Sequence, residues 1–500
     1  MRAIILAAGV GSRLRPITDK KPKTMVEVNG KPMISYIVDA IASAGVNEIV
    51  VCAGYRAEQL ESYLSKNYSD KLKIKIVNNS AYETTNNMYS LYLARDFLSG
   101  DVLLMNADLV FDKEIVRELV EEVGSVVAVD KGLFQDESMK LVVDQDGYIQ
   151  NISKKIEPEK SYGCSIDVYK FDKQSTKVLK HEVVKIIEEE EDLNQWTEVL
   201  LDKVFSEKLV YAKPLDIKGK KWYEIDNYED LSRAEILFNE KLKLINKKKA
   251  FILDKDGTLT IGKTAIDGAS SFLSVLDNAN MNWVVGSNNS SKTSKAHSQG
   301  LKTVFPEFED ISVVSSLDVA VDYFKQKGIK KIYWVANKEV SNELSKQFTL
   351  DQKNPECILL TYDDEIDYQK IQKLVELIRK GIPYYATHID VVCPTENGDI
   401  PDIGSFIELI YKSTKVRPLK NFGKPTKDYL NYVLDYLNAT AGEAVLIGDR
   451  LYTDILACAN EDVTSVLVLS GETTRSTYEE SDVRADVVLP SLKELVDYIK

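Results

Sequence analysis

The chain has 500 residues, 44% hydrophobic and 28% charged, with a formal net charge of −14 and a pI near 5.0. That is enough apolar sequence for two or three separate cores, while the acidic balance argues against a nucleic-acid partner, because duplex binding needs clustered basic side chains. No apolar run approaches a membrane span and Met1 leads directly into a strand pattern, so a cytoplasmic chain without a membrane partner is expected, with homo-oligomerisation left open.

The cysteines (Cys52, Cys164, Cys357, Cys393, Cys458) are scattered and mostly set in apolar segments, which points to core positions rather than a disulfide framework or a zinc site. Histidine is scarce (His181, His297, His388), so catalysis falls to carboxylates and metal.

Taken in chain order, an apolar strand at 3–8 runs into LAAGVGSRLRPITDKKPKTM at 6–25. Gly9 and Gly11 let the main chain from Leu6, Ala7 and Ala8 onward pass close to a polyphosphate with its N–H groups inward. Arg13 and Lys23 supply the cations a pyrophosphate leaving group requires. The stretch reads as a nucleoside triphosphate site, without the final Lys-Ser/Thr of a Walker loop. Pro32 then opens a helix with Met33, Ile34, Ile37, Val38 and Ile41 on one face, ending at Gly45 before a strand at 48–53. Further strands at 73–77, 102–105 and 125–129 alternate with helical patterns, which predicts a doubly wound α/β domain. A helix over 231–244 gives way to a charged connector at 245–249, where the domain boundary is placed.

Attack of an ionised phosphate or phosphonate oxygen on an α-phosphorus depends on charge neutralisation and in-line positioning more than on acid–base help. Carboxylates holding Mg²⁺ would complete such a site. Asp108, in MNAD, and Asp226, in WYEID, stand at strand ends where α/β sheets place ligands, although acids there also serve as turn formers or caps. The 6–25 stretch with GKPM at 30–33 resembles the signature of the sugar-phosphate nucleotidyltransferase superfamily, LAAGxGxRLxPxTxxxPKxMxxVxGKPM. The resemblance implies that Asp108 and Asp226 share the metal, with Asn106 standing where near relatives carry another Asp.

Within that superfamily NNMYSLY at 86–92 resembles the branch of bacterial phosphocholine and 2-aminoethylphosphonate cytidylyltransferases, which also show a turn like Ala53-Gly54-Tyr55. This implies CTP as substrate, bound by Leu6, Ala7, Ala8, Gly9, Gly11, Tyr55, Asn86, Asn87 and Asp108. Tyr89 and Tyr92, three apart, would share a helix face. Where the choline enzymes carry Glu-Trp this chain reads Glu137-Ser138, then Met139-Lys140. An MK[LV] segment followed by ISK is closer to relatives that take sugar or polyol phosphates, and Lys154 is the matching residue for an acceptor phosphate. Tyr82, Tyr162 and Trp196 could still build an aromatic ammonium pocket.

The strand at 250–253 opens the second half and runs into Asp254-Lys255-Asp256-Gly257-Thr258-Leu259-Thr260. The spacing lets Asp254 attack phosphorus while Asp256 protonates the leaving oxygen and then activates water; no further oxygen ligands follow at EF-hand spacing. After a strand at 283–285, Ser287 and Asn288 in VVGSNNSS can hold the phosphoryl group, and Lys424 in FGKPT can neutralise it. Asp449 in IGDRLYTDI can bind Mg²⁺ with Asp254 and Asp256, through the carbonyl of the latter, while Asp454 orients them. Strands at 444–448 and 465–470 and a helix near 492–499 close the half.

Together these motifs resemble the haloacid-dehalogenase-like phosphatases, and SNNSS, GKP and GDRLYTDI resemble their NagD-like branch. The long stretch between Ser287 and Lys424 implies an α/β cap there, which closes over small substrates and excludes water. In ATHIDVVCP, His388 and Asp390 match the cap's substrate loop, beside the structural role a lone histidine often has.

The expected architecture is α/β throughout: a Rossmann-like nucleotidyltransferase domain at 1–244, a linker at 245–249, and a haloacid-dehalogenase-like Rossmannoid core at 250–330 and 419–500 with a C2-type α/β cap at 331–418. The expected function is bifunctional. CTP-dependent cytidylyl transfer to a small phosphorylated alcohol, amino-alcohol or phosphonate is joined to Mg²⁺-dependent hydrolysis of a small phosphate monoester through an aspartyl-phosphate. One alternative is a sugar-1-phosphate uridylyl- or guanylyltransferase with the same phosphatase. Another is a regulatory ligand-binding chain, against which the retained Arg13, Lys23, Asp108, Asp226, Asp254, Asp256, Lys424 and Asp449 speak.

Overall fold

The computed structural model describes residues 1–132, 138–393, 398 and 400–499; Glu137, which bears on the acceptor, lies outside them. The chain divides into two units, Met1–Phe238 and Asn239–Lys500.

In the first unit, Arg2–Ala7 pairs in parallel with Glu48–Ala53 on one side and Val102–Asn106 on the other, and Glu48–Ala53 pairs in parallel with Lys73–Asn78. Alternation along the first strand sends Ala3, Ile5 and Ala7 to one face, against the helix Met33–Ser43, and Ile4 and Leu6 to the other, against the helix Asn87–Leu93. The sheet is nine-stranded and mixed, because Gly163–Phe171 adds antiparallel to Val102–Asn106. Ser125–Asp130, expected among the strands of a parallel sheet, pairs in parallel with Ala212–Asp216 on one side and antiparallel with Gly163–Phe171 on the other. Chain order reverses at Arg2–Ala7, so a crevice opens at the carboxyl ends of Arg2–Ala7 and Val102–Asn106.

The helix expected over 231–244 is instead Tyr228–Phe238, followed by a 3-10 helix Leu242–Lys247. Asn239 Oδ1 accepts from the Leu242 N–H at 3.0 Å, restarting the chain as a new element, and Leu242 and Ile245 are buried. Much of the segment expected as a connector is therefore structured within the second unit.

The second unit has a six-stranded parallel sheet in the order Val313–Ser315, Asn282–Ser287, Ala250–Asp254, Ala444–Gly448, Thr464–Val468, Val487–Leu489. A separate four-stranded parallel sheet is formed by Thr349–Leu350, Lys331–Val335, Cys357–Leu360 and Tyr384–Ala386. The segment near 492–499 is a 3-10 helix, Leu492–Tyr498, begun by a Ser491–Glu494 capping box. None of the cysteines forms a disulfide, and all but the half-buried Cys393 are buried. Among the described residues no helix is long and apolar enough to cross a membrane.

Candidate active sites

A cavity of about 410 Å³ lies in the crevice of the first unit. Of the residues read from the sequence, it brings together Leu6, Ala7, Ala8, Gly9, Gly11, Arg13, Lys23, Tyr82, Asn86, Asn87, Asp108, Lys154, Trp196 and Asp226. Gly11 has φ +70°, and a side chain there would fall 2.9 Å from Lys23 Cβ, so the glycine both turns the loop and leaves room for the lysine. Lys23 Nζ donates to Asp108 Oδ2 at 2.8 Å and to Asp226 Oδ1 at 2.7 Å, and Arg13 pairs with Asp226 Oδ2 at 2.9 Å. Burial alone would lower the Lys23 ammonium, but the two aspartates hold it above its ordinary value. Burial likewise opposes ionisation of Asp226, and Lys23 and Arg13 overcome it, holding that carboxyl below its usual range.

Two expected residues lie elsewhere. Tyr55 packs edge-on against Tyr82, 6.1 Å between ring centres, without lining the cavity. Tyr162 is 37% exposed with Lys131 Nζ over its ring, so of the expected aromatic residues Tyr82 and Trp196 line the cavity, the latter with Lys154 Nζ 4.8 Å above its ring, and Trp222 lines it as well. Tyr89 and Tyr92 share a face and stack on each other at 5.7 Å.

The cavity also holds carboxylates that the sequence reading did not single out: Asp167, Glu198 and Glu224. Glu224 sits two residues before Asp226, a period-two signal that was available in WYEID; Asp167 carried none. Burial pushes Asp167 up to about 8, with repulsion from Glu198 adding to it. Glu224, although exposed to solvent at the cavity, is pushed up to about 8 by desolvation among the surrounding groups and by repulsion from Asp108, Asp167 and Asp226. Asn106, where near relatives carry Asp, donates to Asp167 Oδ2 at 3.0 Å. Asp108, Glu224 and Asp226 bring one oxygen each within 4.8 Å of one another, and Asp108 Oδ1 is buried without a hydrogen-bond partner among the described residues. An oxygen-rich, partly unsatisfied cluster of this kind suits a hard divalent cation.

In the second unit Asp254 ends a central strand, and a cavity of about 30 Å³ is lined by Asp254, Asp256, Ser287, Asn288, Lys424 and Asp390 together with Asn289, Cys393, Asp402, Arg450 and Thr453. Lys424 Nζ bonds Asp254 Oδ1, pairs with Asp454 Oδ1 at 2.6 Å and donates to the Gly286 carbonyl at 3.1 Å. Burial would lower this lysine too, and Asp254 and Asp454 raise it instead. Asp454, expected to orient the metal carboxylates, thus bears on the lysine directly. Burial and repulsion from Asp254 push Asp454 up to about 6 against the pull of Lys424.

Asp254, Asp449 and Asp454 again bring oxygens within 4.8 Å, and Asp449 Oδ1 is buried without a hydrogen-bond partner among the described residues. Side chains at Gly257 or Gly471 would overlap the Asp449 carboxylate, so both glycines are needed for the backbone to close over it. Asn288 spends its amide on the Lys424 backbone and on Asp390, donating to the latter at 3.2 Å. His388 is fully buried, bonded through Nε2 to Asp402 Oδ1 at 3.0 Å, and does not line the cavity, whereas Asp390 does.

Residues 2–238 match the family model for nucleotidyl transferases, residues 251–347 that for haloacid dehalogenase-like hydrolases, and residues 421–495 a HAD-hydrolase-like model. The CTP:phosphoglutamine cytidylyltransferase of Campylobacter jejuni is 33% identical over 260 residues, covering 46% of this chain and 98% of that protein. An acid sugar phosphatase of Staphylococcus saprophyticus is 28% identical over 251 residues, 50% of this chain and 96% of that one. The crystal structure of 4-nitrophenylphosphatase from Thermotoga maritima aligns with a TM-score of 0.50 and 30% identity, over 51% of this chain and 99% of its own. Fold and motifs together define an enzyme with a nucleotidyltransferase domain and a phosphatase domain in one polypeptide. The chain belongs to the nucleotidyl transferase family through its first half and to the haloacid dehalogenase-like hydrolases through its second.

Proposed function

We propose that the first unit transfers a cytidylyl group from CTP to a small phosphorylated alcohol, amino-alcohol or phosphonate, and that the second hydrolyses a small phosphate monoester. The observation that carries the reading recurs in both units: a buried lysine held between carboxylates at the carboxyl ends of parallel strands, Lys23 in one and Lys424 in the other. In the first, an acceptor oxygen bonds to the α-phosphorus as the bond to the bridging oxygen breaks, and pyrophosphate leaves. Arg13 and Lys23 stabilise that departing charge, while Lys154 holds the acceptor phosphate and the backbone of 6–11 the nucleotide.

In the second, Asp254 displaces the ester oxygen, which takes a proton from Asp256. Asp256 then accepts a proton from the water that attacks phosphorus and frees Asp254. Ser287 and Lys424 hold the phosphoryl oxygens. Asp108, Glu224 and Asp226 would hold Mg²⁺ in the first unit, and Asp254, Asp449 and the Asp256 carbonyl in the second; the ion supplies neutralisation of phosphate charge in each. The four-stranded sheet within 331–418 supports reading that segment as a cap, which presents Asp390 to the substrate. The reading is tested by measuring pyrophosphate release over four nucleotides and a panel of acceptors, alongside phosphate release from monoesters. Asp226→Asn should abolish only the first signal and Asp254→Asn only the second; loss of both in either variant overturns the assignment of two independent centres.

A further inference from the structure

Each carboxylate of the phosphatase site is held by a donor. Asp254 Oδ1 takes the Lys424 ammonium, Asp454 takes the same ammonium at 2.6 Å, and Asp449 Oδ2 accepts from the Glu472 backbone N–H at 2.6 Å. Asp256 is held by its own chain neighbour: Lys255 Nζ donates to Asp256 Oδ1 at 2.6 Å, and among the described residues no other group donates to that carboxylate.

The pairing does not follow from spacing alone. Alternation carried on from the strand Ala250–Asp254 would place residues 254 and 256 on one side and residue 255 on the other. Lys255 meets Asp256 because its flexible four-carbon stem curls back. Asp256 lines the cavity and Lys255 does not, so the ammonium stands beside the acid rather than against a substrate. The backbone under the pair is already fixed. The Lys255 carbonyl accepts from the N–H groups of Leu259 and Thr260, both at 3.0 Å, the Gly257 N–H donates to the Thr260 carbonyl at 2.8 Å, and Ser470 Oγ donates to the Gly257 carbonyl at 2.8 Å. What remains free is rotation of the Asp256 side chain, and the ion pair removes it. With the two side chains 19% and 32% exposed, such a pair adds little to folding stability, so its effect falls on orientation.

We infer that Lys255 is a positioning residue for Asp256: by holding Oδ1 it presents Oδ2 to the ester oxygen. The inference rests on the phosphatase reading above and gives a role to a residue which that reading leaves unused. In the first step Asp254 bonds to phosphorus, the bond from phosphorus to the ester oxygen breaks, and the proton on Asp256 passes to that oxygen. An alkoxide leaves poorly and needs this proton as the bond breaks, whereas 4-nitrophenolate spreads its charge over the ring and leaves without it. Loss of Lys255 therefore falls on alkyl esters and spares the nitrophenyl ester. A general loosening of the loop would displace Asp254 as well and slow both esters together.

The test measures phosphate release by the full chain with Mg²⁺ from glycerol phosphate and from 4-nitrophenyl phosphate. It is read as kcat/KM, which reports events up to leaving-group departure and omits the later attack of water that both substrates share. Lys255→Met, which keeps the length of the stem and removes the ammonium, should lower kcat/KM at least tenfold for glycerol phosphate and less than threefold for 4-nitrophenyl phosphate. Lys255→Arg, which keeps a charged donor, should restore the wild-type ratio of the two constants to within threefold. That ratio does not depend on the fraction of enzyme that is folded, and a shift of less than threefold in Lys255→Met overturns the inference while leaving the phosphatase reading intact. Absence of phosphate from both esters with the wild-type chain overturns the phosphatase reading itself.

Discussion

Acidification should weaken the second unit through His297. This residue sits in the helix Ser294–Val304, is 5% exposed, and its Nε2 lies 2.9 Å from the Asn289 carbonyl, so the neutral ring carries its proton on Nε2. Burial, reinforced by Lys255 and Lys292 nearby, pushes its pKa down to about 4 from 6.5. Between those values the unfolded chain binds a proton that the folded chain refuses, so stability present above pH 6.5 is lost as pH falls towards 4. At ~1.4 kcal/mol per pH unit the gap corresponds to about 3 kcal/mol, a large share of an ordinary domain's net stability. Asp449 and Asp454 in the same unit are raised instead, by burial first, and favour the folded state as pH falls. The informative quantity is therefore the difference between wild type and His297→Gln, which keeps a donor for Asn289 and cannot titrate. Urea titrations with pulsed hydrogen exchange, read by mass spectrometry on peptides from Ala250–Asp254 and Ala444–Gly448, isolate this unit. Wild type should lose about 3 kcal/mol more than the variant between pH 7 and pH 4; parallel losses within about 0.5 kcal/mol would refute the reasoning.

Gly471→Ala should place a methyl on the Asp449 carboxylate and within 2.7 Å of Gly257 Cα, lowering phosphate release tenfold or more with pyrophosphate release unchanged. Gly11→Ala imposes a left-handed conformation costing about 1–2 kcal/mol on a non-glycine residue and crowds Lys23, so kcat/KM for pyrophosphate release should fall at least tenfold while phosphate release holds. Removing divalent ions with a chelator should abolish both activities, and added Mg²⁺ should restore them; an activity that survives chelation contradicts the metal assignment in that unit.

Strands such as Glu48–Ala53 and Ala444–Gly448 were legible to the residue, because both are apolar runs of strand length bounded by helical or turn signals. The paired signatures around Lys23 and around Asp254 were legible because close approach to phosphate demands glycine and fixed charge at short sequence separation. The helix at 231–244 was read too long because its pattern continues past Asn239, whose side chain restarts the chain. Tyr55 and Tyr162 were read as ligand contacts from motif and composition, but side-chain direction depends on neighbours that sequence spacing does not specify.

The order of elements, the two halves and the cations of both sites follow from the sequence, since strand periodicity, glycine-rich turns and local spacing are properties of contiguous chain. The antiparallel seating of Gly163–Phe171, the bulge that turns Asp167 inward and the meeting of Glu198 with it belong to the tertiary structure alone. Each depends on strand register across long sequence separations, and whether a carboxylate is buried without a cation is decided only when those segments pack.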